Sequence, residues 1–281
     1  MFEKLGTGWN LTKQSLKALK ADKEIILFPI LSAIITIILT LVFFGLFILT
    51  SLTGQAINQS LGAILFYIII FVYIILTYFI TLFFKSAIIT SASIRFNGQN
   101  PSFSQGLSLP LKKIFKIFLW AIIYGIINSI ISVISRAGKG KSRNVQMATQ
   151  VGGSTLKTIW NLLTFFVLPV ILFENVSFFS SFARSKELFV KNWQESIGSR
   201  ISMGGVFSII IIIAAIPLLI SFFIGISILT IVMLLLFFLC FTIVLVLATS
   251  ANGILTAALY HYATTGKMPS IYDKELTKSL E

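Results

Sequence analysis

From Ile226 to Thr249 the chain reads ISILTIVMLLLFFLCFTIVLVLAT, 24 residues without a charged side chain. As a helix it would measure roughly 36 Å, enough to cross a hydrocarbon layer about 30 Å thick. Apolar residues fill every face, so the strict alternation of a membrane β-strand is absent. In lipid each backbone amide must pair within its own segment, and the helix is the solution available to such a run.

The rest of the chain repeats this text. Of 281 residues, 57% are hydrophobic and 11% charged, and the mean hydropathy is +0.97. A soluble globule of that composition would expose large apolar patches. Spans are expected near residues 25–52, 61–84, 114–134, 158–173, 203–223 and 226 to about 262. The first is too long for a secretory signal and lacks a small-residue cleavage site, so it reads as a retained span. The predicted fold is all-α, a polytopic transmembrane helical bundle of about six spans forming one integral membrane domain over residues 1–281.

Charge sets the expected orientation. Lys4, Lys13, Lys17, Lys20 and Lys23 precede the first span, whereas the stub at 51–60 carries no charge. The positive-inside rule then places the amino terminus in the cytoplasm of a plasma (inner) membrane. Lys85, Arg95, Lys112, Lys113 and Lys116 between spans two and three fall on the same side in a six-span count. So do Arg184, Lys186, Lys191 and Arg200, and Lys267, Lys274 and Lys278 near a cytoplasmic carboxyl terminus. The loop at 136–157, with Arg136, Lys139, Lys141, Arg143 and Lys157, falls outside if spans three and four both cross. A second reading makes segment 114–173 re-entrant and keeps that loop cytoplasmic.

The net charge of +13 follows from basic residues beside apolar runs, not from a separate basic domain. Anionic headgroups account for it better than nucleic acid does.

An internal repeat is visible. Residues 86–96, SAIITSASIRF, resemble residues 252–262, NGILTAALYHY, and each stretch continues to a Gly and a Pro-Ser pair, at Gly98, Pro101 and Ser102 and at Gly266, Pro269 and Ser270. Thr90 and Thr256 occupy matching places among small residues, which suggests one packing surface used twice. Basic amphipathic stretches at 9–22, 103–115 and 182–193 precede the three hairpins. The expected plan is three repeats of interfacial helix plus helical hairpin, about 1–101, 102–177 and 178–281, with anionic lipid contacts at Lys13, Lys17, Lys20, Lys112, Lys113, Lys186 and Lys191.

The opening Gly8 and Trp9, residues 15–24 (SLKALKADKE) and the Leu27-Phe28-Pro29 step resemble a prokaryotic family of multi-pass membrane proteins known as a domain of unknown function. The stretches 98–102, 169–174, 181–193 and 259–263, with Pro269, share the likeness. A looser resemblance is to the membrane domain attached to some glycerophosphodiester phosphodiesterases. Neither implies a catalytic residue here.

Catalytic apparatus is not legible. His261 is the single histidine and Cys240 the single cysteine, so a His or thiolate metal cluster and a disulfide are excluded within one chain. The string Gly138-Lys139-Gly140-Lys141-Ser142 resembles the end of a phosphate loop, but Ser135 stands where the leading glycine belongs and no buried strand precedes it. Among polar residues within spans, Asn128 and Asn161 are expected to bond across helix interfaces or to line a neutral path. Glu174, just after Pro169, is the acid nearest the bilayer and is expected to cap or to pair with a basic side chain.

The functional expectation is a non-enzymatic membrane scaffold or a module that binds lipid or protein. It needs no cofactor, and its partners would be anionic lipids, a second copy or another membrane protein. The alternative is a homo-oligomeric channel or facilitator for a small solute or ion, with Asn128, Asn161, Thr90, Thr256 and Glu174 as contacts.

Overall fold

The computed structural model describes residues 13–15, 17, 19, 22, 24–57, 59–140, 142–191, 193–225 and 227–269; at 51–61 and 193–203 only the backbone is described. Among these residues the chain is helical: α1 Glu24–Ile57, α2 Gln59–Phe96, α3 Phe103–Lys112, α4 Ile114–Arg136, α5 Arg143–Leu163, α6 Val167–Phe173, α7 Phe178–Lys191, α8 Trp193–Ile224 and α9 Ser227–Thr265. Six stretches, Glu24–Thr50, Gly62–Phe96, Ile114–Arg136, Arg143–Phe173, Gly204–Ile224 and Ser227–Thr265, are long and apolar enough to cross a membrane. Their outward faces carry exposed Ile, Leu, Val and Phe, such as Leu41, Ile212, Phe223 and Leu235. An inverted surface of this kind suits lipid and not water.

The second helix continues past residue 84 as far as Phe96, and two other boundaries differ from the sequence expectation. The stub at 51–60 is helical as far as Ile57. The basic segment at 136–157 is a loop only over its first few residues, because helix resumes at Arg143 and the fourth span starts there instead of at 158. Its polar residues do not break the helix, since they bond back to it. Thr149 Oγ1 donates to the Val145 carbonyl, Ser154 Oγ to Val151 and Thr158 Oγ1 to Ser154.

The chain divides into two compact units, residues 1–29, 88–106 and 187–281 in one and residues 30–87 and 107–186 in the other. In the first unit the ends of α2 and α9 are deeply buried. Ile88, Ile89, Thr90 and Ala92 are nearly inaccessible, as are Ile254, Leu255, Thr256 and Ala258. These are the two stretches that resemble each other in sequence. Gly253 sits so close to Ile88 that an added Cβ would lie 2.4 Å from its Cγ2. Both helices also stop alike, at Gly98 with φ +80° and Gly266 with φ +74°, each ahead of a proline. Glycine holds that left-handed turn without the penalty a Cβ imposes. Phe28 stacks on Phe103 with centroids 5.1 Å apart. Helices α8 and α9 form a hairpin through Gly225, whose φ is +75°.

The second unit contains two hairpins. In α1 and α2, Tyr73 meets Phe43, and its hydroxyl lies 3.0 Å from Thr40 Oγ1. In α4 and α5, Gly153 lets the backbones meet, because a Cβ there would lie 2.8 Å from Ser135 Cα. Trp120 joins Tyr124, Trp160 and Phe182 in one aromatic cluster.

The helix breaks at Thr164, and Val167 through Leu172 of α6 are all buried. The break is mended by Ser185 of α7, which is fully buried. Its Oγ donates to the Leu163 carbonyl at 2.8 Å and accepts from the Phe166 amide at 3.1 Å. One hydroxyl satisfies two backbone groups that a helix interruption would leave stranded.

The amphipathic helices differ in part from the expectation that their apolar faces meet lipid. Leu188 and Phe189 of α7, and Leu19 in the first stretch, are buried within the protein. Leu111, Ile114 and Phe115 in the second stretch remain exposed. Leu11, Leu16 and Lys20 lie outside the described residues.

Candidate functional site

Within the second unit, α2 and α4 enclose a groove of about 470 Å³. From α2 come Tyr73, Ile74, Thr77 and Tyr78, spaced to share one face of a helix. From α4 come Asn128, Ser129, Ser132, Val133 and Arg136, again at steps of one and three. The two helices are held by a T-shaped contact of Tyr78 with Tyr124 at 5.2 Å and of Phe79 with Phe118 at 5.4 Å. Gly125 makes the approach possible, since an added Cβ would come within 3.2 Å of the Tyr78 ring.

Polar groups in this groove are incompletely used. Asn128 Nδ2 donates to the Tyr124 carbonyl at 2.7 Å, a bond within its own helix. Thr77 Oγ1 is buried and has no hydrogen-bond partner among the described residues, although Thr81 bonds back to the Thr77 carbonyl in the usual helical manner. A buried hydroxyl without a partner is costly, and a turn about χ1 would bring that of Thr77 into the groove its residue lines. Arg136 is exposed at the open end.

The two asparagines therefore separate. Asn161 is the interhelical bond the sequence suggested, accepting from the Tyr124 hydroxyl at 3.1 Å. Asn128 bonds along its own helix and faces the groove. Thr256 likewise bonds along its helix, to the Asn252 carbonyl, and both it and Thr90 are buried in the first unit. Glu174 pairs with Arg184 Nε at 3.3 Å, where α6 ends in extended backbone. The structure thus gathers Asn128 with Thr77, Ser129, Ser132 and Arg136, and leaves Glu174, Thr90 and Thr256 elsewhere. The polar triplet Asn128, Ser132 and Arg136, one turn apart on an apolar span, was the available sequence signal.

The lysines assigned to anionic lipid are at the surface where described. Lys13, Lys17, Lys112, Lys186 and Lys191 are exposed and Lys113 is half-buried. Lys112 stands beside Leu111, Ile114 and Phe115, of which Phe115 is 70% exposed. Lys116 instead turns inward, donating to the Val176 carbonyl at 2.7 Å.

Just before α1, Arg95 Nε lies 3.2 Å from Asp22 Oδ2. The two charges are close but not aligned as a hydrogen bond, since Oδ2 has no hydrogen-bonding partner among the described residues. Arg95 also donates from Nη1 to Asn100 Oδ1. Burial pushes the Asp22 carboxyl above its usual range, the Arg95 charge opposes this and Glu24 adds to it.

No curated protein matches the chain. The model of a family of unknown function, DUF6159, matches residues 64–270, from the second apolar span through the end of α9, and the chain belongs to that family.

Proposed function

We propose that this protein is a non-enzymatic integral membrane module that binds anionic lipid. One observation carries the reading: at the junction of α3 and α4, exposed Lys112 is set among exposed Leu111, Ile114 and Phe115. Apolar side chains enter the acyl boundary while the ammonium group meets phosphate, the arrangement of an interfacial anchor. Exposed Lys186 and Lys191 on α7 repeat the cationic half of this pattern. The setting is a plasma membrane with both termini cytoplasmic, and the three-repeat plan provides one such basic stretch per hairpin.

The test uses the full chain in mixed vesicles containing spin-labelled phosphatidylglycerol or phosphatidylcholine. Wild type should immobilise the anionic label preferentially, and K112Q/K113Q should reduce that preference fivefold or more, from about 1 kcal/mol per lysine near the surface. An unchanged preference overturns the reading. A second reading, a facilitator for a small neutral solute, is favoured by the polar lining of the α2–α4 groove. Flux in proteoliposomes that is lost in a folded N128L variant would establish it, and no flux over a broad solute panel would reject it.

A further inference from the structure

We propose that the groove between α2 and α4 binds a single glycerophospholipid, with its phosphate on Arg136 and its ester carbonyls on the hydroxyls of Thr77, Ser129 and Ser132. The proposal deepens the lipid-binding reading above, but it concerns a different surface from Lys112 and Lys113.

Three features point to this ligand. The first is the order of groups along α4. Arg136 closes the helix, while Ser132 and Ser129 lie about 6 Å and 10 Å further back along the axis, at 1.5 Å per residue. A glycerophospholipid carries an anionic phosphate at its outer end and two acceptor carbonyls on the hydrocarbon side of it. A free phosphate would meet the arginine and leave the deeper hydroxyls unused.

The second is donor chemistry. Ester carbonyls accept hydrogen bonds and cannot donate, so they need hydroxyl or amide hydrogens in the wall. Thr77 Oγ1 provides one that is buried and unpartnered. By contrast, Thr40, Thr81 and Thr158 in the same unit each spend theirs on the carbonyl four residues earlier. With Thr77 turned about χ1 towards the groove it lines, an acceptor entering there removes the desolvation cost its hydroxyl otherwise carries.

The third is charge and shape. Arg136 has no ion pair among the described residues, and no acidic residue lines the groove. The guanidinium is a planar donor suited to a phosphate. The volume of about 470 Å³ is that of a small-molecule site. Val133 of the lining is 69% exposed, and acyl chains continue past it into lipid.

Native mass spectrometry of the full chain released from detergent tests this, with phosphatidylglycerol, its diether analogue and glycerol 3-phosphate as probes. Wild type should retain one phosphatidylglycerol. R136Q should weaken retention roughly tenfold, as expected for a charge-assisted bond. The diether, which lacks carbonyls, should bind wild type roughly fivefold more weakly than the diester. In T77V/S129A/S132A the two lipids should bind alike. Glycerol 3-phosphate should not displace the lipid.

Equal binding of diester and diether by wild type overturns the proposal without any need for a variant to fold. Full displacement by glycerol 3-phosphate would replace it with a soluble phosphate site. K112Q/K113Q should leave the one retained lipid in place. Its loss there would assign retention to the lysine surface and overturn the groove site, whereas loss in R136Q alone separates the groove from that surface.

Discussion

Tyr124 donates its hydroxyl hydrogen to Asn161 Oδ1 across 3.1 Å, tying α4 to α5. The same tyrosine receives Asn128 at its backbone carbonyl and packs its ring on Tyr78 and Trp120. It joins the hairpin to the groove wall through Tyr78.

Removing either partner should therefore cost stability without abolishing the fold. Y124F and N161L are each expected to lower stability by about 1 kcal/mol, and the double variant by less than the sum. Thermal unfolding in detergent across the four-protein cycle reads the coupling. Strict additivity would remove the bond from the account.

Gly153 and Gly152 offer a contrast between neighbours. A Cβ at Gly153 would meet the Ser135 side chain and backbone, whereas nothing lies within 4 Å of one at Gly152. G153A should destabilise the α4–α5 hairpin by about 1 to 3 kcal/mol. G152A should be neutral or stabilise by up to about 1 kcal/mol through helix propensity. Melting temperatures of the two variants decide the matter, and the opposite ranking would refute the close approach.

Asp22 gives a pH dependence with a definite sign. Its folded carboxyl holds a proton more tightly than the ordinary value of 3.8 allows, first because it is buried. Ionised Asp22 therefore costs stability above its folded pKa, and that cost is relieved as pH falls through the raised value towards 3.8. Wild type should gain stability relative to D22N across this window. Unfolding curves over a pH series check it, and a difference that rises with pH would show the Arg95 pair prevailing over burial.

Topology is open to chemical labelling. Ser142 and Ala183 are both exposed, so S142C and A183C, with Cys240 replaced, should accept a membrane-impermeant maleimide. The two-sided arrangement predicts labelling of position 142 from outside and of position 183 from the cytoplasm. Cytoplasmic labelling of 142 would establish that residues 114–173 re-enter. Ser185, two residues further on, is fully buried and would be a poor reporter.

The sequence made the spans plain because membrane helices advertise themselves by mean hydropathy, and five of the six begin within a residue of the expected apolar runs. The fourth was cut short because residues 143–157 are amphipathic, and hydropathy alone treats Gln146, Gln150 and Lys157 as loop. Of the site, Asn128 and Asn161 stood out as amides in an apolar setting, but their division of labour depends on which helix each faces. Thr77 and Arg136 became meaningful only when α2 and α4 met. Ser185 was not legible at all, since a serine in a serine-rich amphipathic helix carries no mark of the distant backbone it serves.

The same serine bears on the order of events during synthesis. Leu163 and Phe166 leave the ribosome well before Ser185, which lies 22 and 19 residues further along. Until α7 has been made and docked, the interrupted backbone has no hydroxyl to close it, and hydrocarbon offers no substitute. S185A, which never supplies that hydroxyl, should therefore lower the yield of mature protein as well as its melting temperature, while S185T should restore part of both. Biogenesis and final stability are thereby both expected to depend on one side chain, contributed by a later helix than the break it closes.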